Sequence, residues 1–237
     1  MPQTIKLVDR REIAQNVLEI AFAKPEHFAF RAGQHLIIKA PELLYEDARG
    51  PRRVMTISSA PHEQKITITT RMSDSGYKRT LAELPIGSDF EYIGPRGEFF
   101  LRRQPRRVAF LAGGIGITPF RSMLLDSLET NSGHDITLFY SNSQIEEIAY
   151  HALFQQLATE RDLFRYVPTL TRSGSGSSWS GEQGRLHVDL IRKHLPDWQQ
   201  MAFYLCGPPD MVNSLKDELM RNGIGEDNIF FEAFWGY

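Results

Sequence analysis

The sequence predicts a two-domain chain: an antiparallel β-barrel over residues 1–102, followed by an α/β doubly wound parallel sheet over residues 103–237. Three observations carry this reading. The first hundred residues hold short β-rich runs at regular spacing, punctuated by glycine and proline, which suits a small antiparallel barrel. From about residue 106 onward, apolar strand-like runs alternate with helical periodicity, which argues a parallel sheet with helices on both faces. Between the two textures, Arg102, Arg103, Pro105, Arg106 and Arg107 interrupt the pattern with charge and a ring.

The expected strands of the first domain are 6–8, 17–22, 35–39, 54–58, 66–71 and 90–93, with one helix at 78–84. Ile66-Thr67-Ile68-Thr69-Thr70 is the clearest of them, alternating and β-branched. In the second domain strands are expected at 108–112, 136–141, 164–170, 203–206 and 229–231. Helices are expected at 120–129, 146–160, 188–193 and 209–222, and 173–181 reads as a serine/glycine loop. There is no internal repeat.

Composition removes several classes. A hydrophobic share of 41% with 24% charged residues is that of an ordinary globular protein. The net charge of -2 gives no pull toward nucleic acid. No apolar stretch is long enough to span a bilayer. Lys6, Asp9, Arg10, Arg11 and Glu12 break up any signal-peptide core, so a cytoplasmic location is expected. The single cysteine, Cys206, leaves no intrachain disulfide and no four-thiolate iron–sulfur cluster. The seven histidines form no His-Glu-x-x-His or Cys/His cluster, so no metal site is expected.

The most informative stretch is Leu111-Ala112-Gly113-Gly114-Ile115-Gly116-Ile117-Thr118-Pro119. An apolar run enters it and a helical pattern leaves it. Glycines let a backbone approach a bulky ligand, and the following helix offers free N–H groups to an anion. Thr118 suits the N-cap and Pro119 the first helical position. The same turn also serves plain packing, and from these residues alone the two readings stand side by side. Arg53-Val54-Met55-Thr56-Ile57-Ser58-Ser59-Ala60-Pro61 places a guanidinium beside a β-run with hydroxyls, suited to a phosphate and a polar ring edge or to a polar strand end. Ser75-Gly76-Tyr77-Lys78 either opens a phosphate-facing helix or forms an ordinary turn. Gly94-Pro95-Arg96-Gly97-Glu98-Phe99 is turn-like.

Six segments in this order resemble the ferredoxin–NADP reductase superfamily. They are Arg53 to Thr56, Ser75 to Lys78, Gly94 to Phe99, Ala112 to Pro119, Cys206-Gly207-Pro208, and Glu232 to Phe234. The resemblance covers nearly the whole chain. It implies a flavin-binding barrel and an NAD(P)-binding α/β domain. Arg53 would pair with the flavin phosphates, Val54 and Met55 would accompany it on the same strand, and Thr56 would place its hydroxyl near flavin N5. Ser75, Gly76, Tyr77 and Lys78 would cradle the pyrophosphate. Gly113, Gly114, Gly116, Thr118 and Pro119 would line the groove for the nicotinamide-nucleotide pyrophosphate. Cys206, Gly207 and Pro208 would sit beside the nicotinamide. Glu232 would lie in the active site, with Phe234 stacking on the isoalloxazine.

The resemblance implies hydride transfer from NAD(P)H to bound FAD, then electron transfer to a carrier such as ferredoxin or flavodoxin or to another redox component. The alternative is an NAD(P)H:flavin reductase that uses free flavin as substrate. FAD is preferred to FMN, because family members of this length without an attached iron–sulfur domain are mostly FAD enzymes. Three departures stand out. Met55 replaces the usual tyrosine, Lys78 stands where plant-type members have serine, and Trp235-Gly236-Tyr237 extends past the usual end, so Trp235 or Tyr237 could cover the flavin. A 2′-phosphate wants a cation after the second sheet strand. There the chain reads Tyr140-Ser141-Asn142-Ser143-Gln144, which leans toward NADH, with Arg172 as a possible substitute cation. Basic groups at Arg102, Arg103, Arg106 and Arg107, and at Arg49, Arg52 and Arg53, are solvated faces or a docking surface for an acidic carrier.

Overall fold

The computed structural model describes residues 3–172 and 179–234. The chain divides into two compact units, one holding residues up to Leu101 with Thr118–Glu129, the other Arg102–Ile117 with residues from Thr130 on. The expected doublet of an antiparallel sheet followed by a parallel one is observed.

The first unit is built on six strands: β1 (Gln3–Ala14), β2 (Val17–Ala23), β3 (His35–Lys39), β4 (Arg52–Thr56), β5 (Lys65–Arg71) and β6 (Asp89–Arg96). Their order is β4-β3-β6-β1-β2-β5, with every pair antiparallel. β1 serves two partners, meeting β6 through residues 3–6 and β2 through residues 7–14. An isolated bridge from Ile57 to Ile68 joins the end of β4 to β5, drawing the sheet's two edges together. Alternation decides the interior: Ile5, Leu7, Ile20, Phe22, Leu36, Ile38, Ile66, Ile68 and Phe90 form one apolar cluster. The helix α1 (Gly76–Glu83) adds Tyr77 and Leu81 to the same cluster.

The second unit has six parallel strands: β7 (Arg107–Gly113), β8 (Asp135–Asn142), β9 (Phe164–Leu170), β10 (Glu182–Gln183), β11 (Ala202–Gly207) and β12 (Ile229–Ala233). Their order is β10-β9-β8-β7-β11-β12. β7, β8 and β11 read as nearly continuous buried runs, as expected of parallel strands covered on both faces. On one face, α4 (Val188–His194) and α5 (Pro209–Arg221) pack Leu190, Ile191, Val212, Leu215 and Leu219 onto Leu111, Phe139, Phe203 and Leu205. On the other, α3 (His151–Glu160) sets Phe154 edge-on against Tyr140.

Several boundaries differ from expectation for identifiable reasons. A 3₁₀ turn over Gly114–Gly116 runs straight into α2 (Ile117–Glu129). Thr118 is therefore the second residue of the helix, not its cap. Pro119 still lies in the first turn, where a missing N–H costs nothing. The helix expected from residue 146 begins only at His151, because Tyr150 takes φ +60, which no α-helix continues through. β10 is two residues long and carries no sequence signal. Its existence depends on pairing with Thr169 and Leu170.

Candidate functional site

In the first unit, β4 and the start of α1 are brought together, and a third segment joins them. Arg53, 8% exposed, lies against the Tyr77 ring with its guanidinium carbon 4.9 Å from the ring centre. Its Nη2 donates to Asp47 Oδ1 at 2.5 Å, and its Nη1 donates to the carbonyls of Arg49, Gly50 and Arg52. Asp47 Oδ2 accepts from Ser75 Oγ at 2.7 Å and from the Tyr77 amide at 2.9 Å. Those donors, led by the Tyr77 amide and the Ser75 hydroxyl, hold the Asp47 carboxyl well below its usual range. Gly76 is needed here: a Cβ would lie 2.2 Å from the Glu46 carbonyl. Lys78 is half-buried. Burial, and then repulsion from Arg49, Arg53 and Arg71, lowers its ammonium pKa.

Further along β4, Met55 packs on the barrel's apolar cluster while remaining partly accessible. Val54 points to the opposite face and is 63% exposed beside Ile37, its register partner. Thr56 is buried and pairs with His35 across the ladder, so the two side chains share a face. His35 carried no signal in the sequence; only strand pairing sets it beside Thr56. The hydroxyls after β4 are spent internally. Ser58 Oγ bonds the hydroxyls of Thr67 and Thr69, and Ser59 Oγ accepts from the Thr67 amide. Arg121 of α2 locks the same segment, donating to the Ser58 carbonyl and to both Glu63 oxygens. A groove of about 520 Å³ on the outward face of β3, β4 and β6, lined by Ile37, Lys39, Arg52, Glu91 and Ile93, lies on the other side of the sheet from Arg53 and Met55.

In the second unit the strand order reverses between β7 and β11. From β7 the chain winds outward through β8, β9 and β10, then returns to β11 and β12 on the other side. Open α/β sheets bind ligands outside the carboxyl ends of the strands at such a point. The ends are Gly113 on β7 and Cys206-Gly207 on β11. They lie close together: a Cβ on Gly207 would lie 3.1 Å from the Gly113 backbone, and one on Gly116, in the turn that follows, 2.3 Å from the Cys206 carbonyl. Ala112, Cys206 and Glu232 form one row across β7, β11 and β12, and the Phe234 amide donates to the Gly207 carbonyl at 3.0 Å. Burial, and then the neighbouring Glu232, pushes the Cys206 thiol pKa up. Burial alone raises Glu232 to about 7. At the end of β8, the side-chain amide of Asn142 is buried with no hydrogen-bond partner among the described residues. The Arg172 amide bonds the Ser143 carbonyl, which sets that residue beside the same strand end. Trp235 and Tyr237 lie outside the described residues.

A family model for the oxidoreductase NAD-binding domain matches residues 110–217, which include the glycine turn after β7 and Cys206-Gly207-Pro208. The chain is 30% identical over 210 residues to the reductase component DmpP of phenol 2-monooxygenase from Pseudomonas sp. strain CF600, spanning 87% of this chain and 58% of that protein. It is 28% identical over 260 residues to a component of the Na(+)-translocating NADH-quinone reductase of Neisseria meningitidis serogroup B, spanning 92% and 64%. A ferredoxin NADP+ reductase from Neisseria gonorrhoeae, solved with bound FAD and NADP, has the same fold, with a TM-score of 0.82 at 21% identity over 98% of both chains. The chain has the two-domain fold of that ferredoxin NADP+ reductase, and its second unit matches the oxidoreductase NAD-binding domain. It spans less than two thirds of the length of the two curated relatives.

A flavin and a nicotinamide nucleotide fit the residues present. In the NAD-binding unit, the glycine turn and the row Ala112, Cys206, Glu232 stand at the switch point, and Asn142 brings a buried amide with unused donors and an unused acceptor. In the first unit, the accessible flank of Met55 suits a flavin ring. The ammonium of Lys78 has no ion-pair or hydrogen-bond partner among the described residues, which suits a phosphate. Arg53, Ser75 and the Tyr77 amide converge on the Asp47 carboxylate.

Proposed function

We propose that the chain is an NAD(P)H-dependent flavoprotein reductase that passes electrons to a separate redox component. The observation that carries this reading is the switch point between β7 and β11. It coincides with the NAD-binding match and gathers Gly113, Gly116, Cys206, Gly207 and Glu232 at one edge of one sheet. A flavin, when bound, accepts the hydride of a reduced nicotinamide and releases electrons singly. The protein's part is to bind, orient and handle protons. Met55 and Thr56 mark the ring end of the flavin site, and Lys78 supplies positive charge at the phosphate end. The Cys206 thiol, kept protonated by burial, is a neutral wall and not a nucleophile. The Glu232 carboxyl holds or releases a proton near neutral pH.

NADH is the donor in this reading, since 140–144 contains no cation to meet a 2′-phosphate. The acceptor is a redox protein in the cytoplasm, of the kind served by the oxygenase reductase components among the relatives. A second reading is a flavin reductase that releases its flavin. The engagement of Arg53 and the first turn of α1 by Asp47 favours it, because fewer donors remain for a phosphate. The visible absorption spectrum of the purified chain after gel filtration tests both. A retained flavin spectrum that bleaches with anaerobic NADH supports the first reading. Colourless protein that oxidises NADH only when flavin is added supports the second. Failure to oxidise NADH or NADPH with any flavin overturns both.

A further inference from the structure

β12 ends the parallel sheet, and no described strand pairs with its outer edge. Backbone groups alternate in direction along a strand, and here the alternation can be read. The Phe234 amide donates inward to the Gly207 carbonyl of β11, whereas the Ile229 amide donates to the Glu226 carbonyl. Residues 230 and 232 therefore bond β11. The amides of Phe231 and Ala233 point away from it, as do the carbonyls of Ile229, Phe231 and Ala233. Such an edge takes another strand unless a short length, a proline, a lysine or a covering element guards it. The other edges are guarded: β10 is two residues long, and the first unit's two edges are drawn together by the bridge from Ile57 to Ile68. β12, which reads Ile229-Phe230-Phe231-Glu232-Ala233, has no proline and no basic residue. α5 packs on one face of it and leaves the edge uncovered by any described strand.

Beside this edge the surface is apolar. Phe231 is 47% exposed, and the Lys216 ammonium of α5 lies 4.6 Å from its ring centre. Met220, 42% exposed, follows Lys216 by one helical turn and so shares the flank of α5 that faces Phe231. The edge is also self-complementary. A two-fold axis at Phe231 that pairs β12 antiparallel with a second β12 sets Phe231 opposite Phe231, Ala233 opposite Ile229, and Glu232 opposite Phe230. Each Phe231 amide then meets the Phe231 carbonyl of the other copy, and each Ala233 amide meets an Ile229 carbonyl. Both outward amides are satisfied. The exposed phenyl rings face one another, and the carboxyl groups do not, as cross-strand pairing favours. Sliding one copy by two residues would oppose Glu232 with Glu232, so charge selects the same register.

We propose that β12 pairs antiparallel with β12 of a second copy of this chain, joining the parallel sheets of two second units across a two-fold axis at Phe231. The contact uses the same patch on both copies, so it closes at two and leaves no such edge open. It stands apart from the reading of the nucleotide sites.

The test is light scattering of the full chain during gel filtration, loaded at concentrations from about 1 to about 100 µM. A mass of two chains is expected at the upper end, with a Tm that rises with concentration, as for any protein stabilised by its own association. Phe231→Pro is the deciding variant. The Phe231 amide makes no bond within its own sheet, so proline removes a donor from the outer edge alone, where strands tolerate it. The variant is expected to run as one chain at every concentration, with a Tm independent of concentration. If it does not fold, Phe231→Lys, which sets two ammonium groups against each other at the axis, makes the same measurement. Leu163→Lys, at an exposed apolar residue elsewhere in the second unit, is expected to leave the dimer intact. A one-chain mass for wild type at about 100 µM would overturn the proposal. So would a dimer that survives substitution at position 231, loss of the dimer in Leu163→Lys, or a mass that climbs past two chains with concentration.

Discussion

At the scale of single residues, Glu232 is the group whose chemistry depends most on its surroundings. Burial raises its carboxyl from the usual 4.5 to about 7. An acid whose pKa is raised on folding binds more protons in the native state than in the unfolded one between those two values. The stability associated with the neutral carboxyl is therefore complete below about pH 4.5 and is lost as pH rises toward 7. Glu232→Gln removes that loss. The Tm of the variant relative to wild type should rise steadily between pH 5 and pH 8, roughly the window this titration spans. A gap that stays constant with pH would mean the carboxyl titrates normally. The resemblance drew attention to position 232, whereas its protonation near neutrality carried no signal in the sequence. The shift comes from burial, and it is the pairing of β12 with β11 that sets Glu232 beside Cys206.

At the scale of elements, the glycine turn after β7 was legible as a turn, but the reason for its glycines was open. The structure gives Gly116 a packing reason whatever ligand binds: a Cβ there would meet the Cys206 carbonyl and the Gly207 amide at 2.3 and 2.6 Å, both backbone atoms that cannot rotate away. Gly116→Ala should therefore cost about 1–3 kcal/mol in urea unfolding, in the range of overpacked cores. Gly225→Ala has open space around its Cβ and should be neutral within about 0.5 kcal/mol, or slightly stabilising. Equal effects of the two substitutions would contradict the close approach. The strap over α1 was not legible at all. Nothing in 44–50 announces that it will lie on a helix some thirty positions away, because the bonds that hold it there are scattered over Thr80, Glu83, Arg79 and the first turn of α1.

At the scale of the whole molecule, the two basic groups noted in the sequence part company. Arg53 is engaged by Asp47, and Arg107 faces Asp135 and Asp197. The Arg102 guanidinium lies 5.7 Å from the Phe230 ring. Arg103 and Arg106 are left as exposed charge on the second unit. If an acidic redox protein is the acceptor, reversing both to glutamate should slow reduction of that protein by about tenfold at low salt and flatten the salt dependence. NADH oxidation with a small artificial acceptor should be unchanged. Stopped-flow reduction at two ionic strengths makes the comparison, and equal salt slopes for wild type and variant would remove this surface from consideration.

The sequence by itself determined the order of the two architectures and almost every strand and helix, because alternation, apolar runs and short glycine motifs are local properties of the chain. What only the tertiary structure decided is which groups face one another. It put His35 beside Thr56, set Glu232 beside Cys206 in one row where burial raises both pKa values, and started α2 one turn early from a 3₁₀ turn. It also placed Asp47 among the donors that the resemblance assigned to a phosphate. The physical reason is the same in each case. A carboxylate and a phosphate satisfy the same N–H and guanidinium donors, and only the path of the folded backbone determines which of them reaches those donors.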